Sequence, residues 1–195
     1  MSDPSRPLDR ATLEQAFERL GELAAAHERV VEISVYGGAA LILTMPYRVA
    51  TRDVDAVFES DRPFVRRAAK VIASEFGWPE NWLNDGVKGF LSRSDADAES
   101  KNLFKTYPSR GQTGLRIFVA SPSYLFAMKC LAMRAGAVDE TGDIADIRKI
   151  GEVLGIRTAE EALNVVARYY PAGQIPPKTR FGIEEIFGQP PPSGN

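Results

Sequence analysis

Val30-Val31-Glu32-Ile33-Ser34-Val35-Tyr36-Gly37-Gly38-Ala39-Ala40 reads as a strand that runs into a glycine pair, and Thr51-Arg52-Asp53-Val54-Asp55-Ala56-Val57-Phe58 follows it as a second strand with carboxylates at alternate positions. Side chains two apart on a strand share a face, so Asp53 and Asp55 project together while Val54, Ala56 and Phe58 face the other way. Adjacent carboxylates repel each other. A hard divalent cation such as magnesium relieves the repulsion, takes oxygen ligands at ~2.0–2.1 Å and leaves positions open for substrate phosphates. The glycines supply the complementary half, because a strand-to-helix turn without Cβ atoms lets backbone N–H groups approach a phosphate at the positive end of a helix.

Working outward, Leu13, Phe17, Leu20 and Ala24 recur at helical spacing in a segment that ends near His27. A short helix from Ala39 to Thr44 is expected after the glycines, stopped by Pro46, with the carboxylate-bearing strand from Arg52 to Glu59. Pro63 to Phe76 predicts an amphipathic helix with Phe64, Ala68, Val71 and Ile72 on its apolar face and Gly77 at its end. Residues 78 to 114 read as loops with short hairpin strands, and Leu115 to Ala120 as a later strand.

The second half has the pattern of helices. Ser121-Pro122 is a cap followed by proline at the first helical position and opens a helix to about Arg134. Gly142-Asp143 begins another, and Thr158-Ala159-Glu160-Glu161 has capping-box spacing before a third that ends at Tyr169-Tyr170-Pro171. A last short helix carries Phe181, Ile183, Ile186 and Phe187. The expected class is α/β (α+β): a small mixed sheet with flanking helices over residues 1–120, a helical part packed on it over 121–188, and a Pro/Gly-rich disordered tail over 189–195.

Composition bounds the function classes. A chain of 195 residues with 44% hydrophobic side chains can bury a substantial core. Lys and Arg number 24 against 26 Asp and Glu, so no strong overall field draws the molecule to nucleic acid or an anionic membrane. No apolar run approaches the ~18 residues that span a bilayer. The lone Cys130 has no internal disulfide partner, which fits a reducing cytoplasm, and a single histidine, His27, leaves little material for Ser-His-Asp, Cys-His or zinc chemistry.

Other candidate residues carry two readings each. Trp78 and Trp82 are packing residues or the cover of a bound base. Lys101, Lys105, Arg110 and Arg116, near Tyr107, form either a solvated segment or a phosphate-backbone track for an RNA end. Lys129 shares a helical face with Leu125, Phe126, Ala132 and Met133, so it either snorkels outward or meets a charged partner.

Gly37-Gly38 and Thr51-Arg52-Asp53-Val54-Asp55 together resemble the signature of the DNA polymerase β superfamily of nucleotidyltransferases, in which a glycine pair precedes an Asp-x-Asp metal pair. Within it the chain is most similar to the bacterial AbiEii-type group, toxins of toxin–antitoxin and phage-defence modules. That group adds a Lys on a later helix and an Asp on the next, matched by Lys129 in Phe126-Ala127-Met128-Lys129-Cys130-Leu131-Ala132 and Asp146 in Asp143-Ile144-Ala145-Asp146-Ile147. The resemblance covers roughly residues 31 to 155. It implies a minimal nucleotidyltransferase fold and magnesium-dependent transfer of a nucleoside monophosphate from a nucleoside triphosphate to an acceptor hydroxyl. A tRNA 3′ end is the implied acceptor, with a cognate antitoxin as partner and the bacterial cytoplasm as location.

By the same resemblance Asp53 and Asp55 bind magnesium, Gly37, Gly38 and Arg52 hold the nucleotide phosphates, and Lys129 neutralises the triphosphate. Asp146 orients Lys129, completes the metal shell or accepts a proton; a Lys129–Asp146 pair equally reads as a structural link between helices. The chain departs from the family at Leu115-Arg116-Ile117-Phe118-Val119, a strand without the third carboxylate that many members carry. Either two aspartates hold the metal with help from Asp146, or metal binding is weak or lost. The alternatives are transfer to a protein or small molecule, and a non-catalytic nucleotide-binding or antitoxin domain.

Overall fold

The computed structural model describes residues 7–92, 100–133 and 142–188. The strand that runs into the glycines is β2 (Val31–Val35), and around it are β4 (Val54–Phe58), β5 (Leu83–Asn84), β6 (Lys101–Tyr107) and β7 (Leu115–Ala120). They form a mixed five-stranded sheet in the order β5-β4-β2-β7-β6. β2 is central: it runs antiparallel to β4, with Val35 opposite Ala56, and parallel to β7, with Val35 opposite Val119. On this central strand Val31, Ile33 and Val35 form one fully buried face, and Ser34 on the other face is buried as well. A second, two-stranded antiparallel sheet joins β1 (Leu8–Asp9) to β3 (Ala50–Thr51). The fold class is therefore mixed α/β, as expected from the sequence.

The helices of this part form where caps and apolar spacing agree. In α1 (Arg10–Ala26), Asp9 accepts a hydrogen bond from Thr12 N at 2.8 Å, and Leu13, Phe17, Leu20 and Ala24 are buried. α2 (Gly37–Thr44) starts two residues earlier than Ala39, so both glycines belong to its first turn. In α3 (Arg62–Phe76) the Asp61 carboxylate accepts from Phe64 N, and Gly77 closes the helix at φ 70°. Phe64, Ala68 and Ile72 are buried as expected; Val71 is 45% exposed, and Val65, Ala69 and Ala73 complete the inward face in its place. Residues 78–114 hold more regular structure than the sequence suggests: β6 is seven residues long and pairs antiparallel with β7 along its length. Side chains on β6 alternate only weakly in burial, and that weakened the period-2 signal.

The chain divides into two compact units, one formed by residues up to Gly89 with Lys101–Ala120, the other by Phe90–Ser100 with residues from Ser121 onward. The second contains α4 (Pro122–Ala132), α5 (Asp143–Leu154), α6 (Ala159–Tyr169) and α7 (Pro177–Phe187). Ser121 caps α4 through Tyr124 N, and Thr158 with Glu161 forms a reciprocal capping box on α6. α4 is the hub, packing against α5, α6 and α7. Tyr124, Leu125, Phe126, Ala127, Met128 and Cys130 are buried on it. The Tyr124 hydroxyl accepts from Ser92 N at 2.7 Å, and the Ser92 hydroxyl donates to Tyr169 O at 2.5 Å, so these two buried hydroxyls find partners within the unit, whereas the buried Thr179 Oγ1 has none among the described residues. Arg134, where the α4 segment was expected to end, and the tail over 189–195 lie outside the described residues. Among the described residues no helix is long and apolar enough to cross a membrane.

Candidate phosphate and metal site

Four of the residues singled out in the sequence come together at the carboxyl end of β2. Tyr36, the residue between β2 and α2, donates its backbone N–H to the carbonyl of Asp55 at 2.9 Å, which ties the glycine turn to β4. Gly37 sits at φ +58°, a left-handed conformation that residues with a Cβ rarely adopt. A Cβ on Gly37 would lie 2.8 Å from Asp55 Oδ2, and one on Gly38 would lie 2.7 Å from Thr51 Oγ1. Both glycines are thus required by close approach: their missing side chains make the space in which the Asp55 carboxylate and the Thr51 hydroxyl stand. α2 has no side-chain cap from Tyr36, and its first turn is the positive end of a helix dipole.

Asp53 lies immediately before β4 and not inside it, since the strand begins at Val54. The alternation nonetheless holds: Val54 and Ala56 are fully buried, while Asp53 and Asp55 are half-buried on the opposite side. β5 fixes this face. It pairs parallel with β4 so that Asn84 is the partner of Asp55, and the Asn84 amide Nδ2 donates to Asp53 Oδ2 at 3.3 Å. Asp53, Asp55 and Asn84 therefore share one face at the strand ends.

One cation stands beside the glycine turn, and a second adjoins Asp53 in the chain. Arg52, expected to contact phosphate, is exposed next to Asp53. Arg48 was not anticipated: its Nη2 lies 3.2 Å from the position of a Cβ on Gly38, a guanidinium beside the glycine turn. Nothing in the spacing of residues 45–49 announces it, because its placement depends on how the loop returns from α2 to β3. Thr51 is also held inward, only 8% exposed.

Lys129 and Asp146 belong to the helical unit and are brought to each other there. The Lys129 ammonium donates to Asp143 Oδ1 at 2.7 Å and lies 2.9 Å from Asp146 Oδ2. Its side chain is 15% exposed and that of Asp146 6%, so the pair is largely withdrawn from water, and Asp143, at the first position of α5, is a third member that spacing alone did not reveal.

The basic segment and the tryptophans have structural partners. Lys101 is bound to Glu59 at 2.6 Å, Lys105 to Glu14 at 2.8 Å and Arg116 to Glu32 at 2.9 Å, so three of its four cations face carboxylates. Trp82 is buried and donates its indole N–H to Ala69 O, with Trp78 edge-on at 5.2 Å. His27 hydrogen-bonds Leu23 O through Nδ1 at the end of α1.

The donor set on the β4 face fits a hard cation: two carboxylates on one face, one of them oriented by an amide, with a helix amino terminus and the Arg48 guanidinium nearby. Among the described residues no group of three or more His, Cys, Asp or Glu side chains is arranged around a metal position. The residues that suit magnesium are thus Asp53 and Asp55, with remaining positions for water and phosphate oxygens. No protein-family model matches the chain, and neither a curated protein nor a solved structure matches it.

Proposed function

We propose that this chain is a nucleotidyltransferase that moves a nucleoside monophosphate from a nucleoside triphosphate to an acceptor hydroxyl, with an RNA 3′ end, that of tRNA in particular, as acceptor. The observation that carries the reading is the contact of Gly37 with the Asp55 carboxylate on the face shared with Asp53. It joins a glycine turn suited to phosphate with a carboxylate pair suited to a divalent cation.

The acceptor oxygen forms a bond to the α-phosphorus, the bond from that phosphorus to the bridging oxygen breaks, pyrophosphate leaves, and the hydroxyl proton passes to solvent or a nearby carboxylate. Asp53 and Asp55 would hold the cation. When bound, magnesium supplies positive charge against the charge that develops on the phosphoryl oxygens. Gly37 and Gly38 present the amino terminus of α2 to the phosphates, and Arg48 and Arg52 add charge-assisted hydrogen bonds. Lys129 and Asp146 enter from the family resemblance. Action as the toxin of a toxin–antitoxin pair in the bacterial cytoplasm, with an antitoxin as partner, is part of the same proposal.

A second reading, a nucleotide-binding module without transfer, is favoured by one observation: Lys129 already faces two carboxylates, Asp143 and Asp146. Incubating the protein with each α-³²P nucleoside triphosphate, magnesium and total bacterial RNA, beside Asp53→Ala, separates the two. A labelled RNA band that disappears with Asp53→Ala supports transfer. Calorimetric binding of a triphosphate with no labelled product and no pyrophosphate overturns transfer in favour of the binding module.

A further inference from the structure

Asn84 has no counterpart in the pattern that drew attention to this site, yet it has a defined place in it. It is one of the two residues of β5, directly across from Asp55 in a parallel pair, so its side chain emerges on the carboxylate face. Both ends of its amide are engaged. Oδ1 accepts the backbone N–H of Gly86 at 2.9 Å, and Nδ2 donates to Asp53 Oδ2 at 3.3 Å. The first bond fixes which way the amide points, because only Oδ1 can accept from an N–H; the second then necessarily presents a donor to Asp53. The partner is also neutral. A lysine or arginine here would cancel the charge of Asp53, whereas an amide holds one carboxylate oxygen and leaves the negative charge in place.

We propose that Asn84 is a positioning residue for a divalent cation: it holds Asp53 Oδ2 so that the other carboxylate oxygen faces the cation shared with Asp55. Outer hydrogen bonds of this kind orient ligating carboxylates, and their loss costs about 10–100-fold in metal affinity. The inference rests on the proposed carboxylate site and adds to it the residue that makes two carboxylates suffice where a strand without a third one, Leu115–Ala120, lies beside β2. It also predicts what a carboxylate at position 84 does. Asn84→Asp keeps an oxygen to accept from Gly86 and adds a negative oxygen to the face, which repels Asp53 and Asp55 until a cation arrives.

The test is Mn²⁺ binding, measured by the loss of the free-ion electron paramagnetic resonance signal, together with thermal unfolding with and without Mn²⁺, on the full chain and on Asn84→Ala, Asn84→Asp and Asp53→Ala. The expected result is Asp53-dependent binding in the unaltered chain, about 10-fold or more weaker in Asn84→Ala. Asn84→Asp is expected to bind Mn²⁺ more tightly than the unaltered chain and to gain more thermal stability from it. Asn84→Ala binding as well as the unaltered chain, while Asp53→Ala binds none, overturns the role of Asn84 and leaves the carboxylate site standing. Absence of Asp53-dependent binding in the unaltered chain overturns the site itself and this inference with it.

Discussion

Gly37 and Asp55 are 18 positions apart in the chain by number, and in the fold the carboxylate of one occupies the space a Cβ on the other would need, with Oδ2 at 2.8 Å. This contact binds the glycine turn to the carboxylate strand. Gly37→Ala carries two costs: the left-handed backbone, about 1–2 kcal/mol for a residue with a Cβ, and displacement of Asp55. The expected outcome is an unfolding free energy in urea lower by at least that amount and a loss of divalent-cation binding. Gly38→Ala has no such backbone cost but presses on Thr51 Oγ1 at 2.7 Å, so it is expected to be the milder of the two in the same measurements.

Lys129 is held by Asp143 and Asp146 in the helical unit. Lys129→Met removes the ammonium that lies 2.9 Å from the buried Asp146 and 2.7 Å from Asp143. Loss of one partner from a buried pair is strongly destabilising, and with Lys129 15% exposed the expected cost is about 2–4 kcal/mol in chemical denaturation. Asp146→Asn in the Lys129→Met background is expected to recover part of it by removing a buried charge that has lost its ammonium. A Lys129→Met protein with unchanged stability and lost nucleotide binding would instead assign the ammonium to the triphosphate.

Glu14 and Glu59 titrate below the ordinary carboxyl value of 4.5. The hydrogen bond from Lys105, with a further one from Arg10, holds Glu14 down against its partial burial. For Glu59 burial pushes upward, and the hydrogen bonds from Lys101 and Ser34 with the nearby positive charges outweigh it. A depressed folded pKa means that the ionised group stabilises the fold above the unfolded value and that this contribution is lost as pH falls through the depressed one. Thermal stability is therefore expected to decline as pH is lowered from about 4.5, more weakly in Glu14→Gln/Glu59→Gln, and by less than about 1 kcal/mol per pair because these side chains are roughly a third exposed.

Cys130 is fully buried, and burial pushes its thiol well above the ordinary range. Since the thiolate is the reactive form, Ellman's reagent at neutral pH is expected to leave the native protein unmodified and to titrate one thiol after unfolding. Reaction of the native protein at the rate of a free thiol would contradict the packing of α4.

Lys101, Lys105 and Arg116 each face a glutamate on a neighbouring element. A track for RNA built on them must exchange those partners for phosphates. Replacing Lys101, Lys105 and Arg110 by alanine is expected to weaken labelling of RNA, and to flatten its salt dependence, only if that exchange occurs; unchanged RNA labelling assigns Lys101 and Lys105 to their ion pairs with Glu59 and Glu14.

Much of this molecule was legible in one dimension because the signals are local. Period-2 burial defined β2, β4 and β7, helical spacing and caps defined α1, α3 and α6, and the glycine pair with alternate aspartates marked the site. Those features follow from the backbone geometry of consecutive residues, so neighbours in sequence carry them. Arg48, Asn84 and Asp143 were not legible. Each acts through a residue far away in the chain or across a helix junction, and each lies in a loop, a two-residue strand or a first helical turn, where no periodicity exists to betray its direction. Only the tertiary structure decided that Gly37 makes room for Asp55 and that Asn84 grips Asp53, because those contacts are set by strand order and register, and that Lys129 lies between two aspartates, because that is set by how α4 packs on α5.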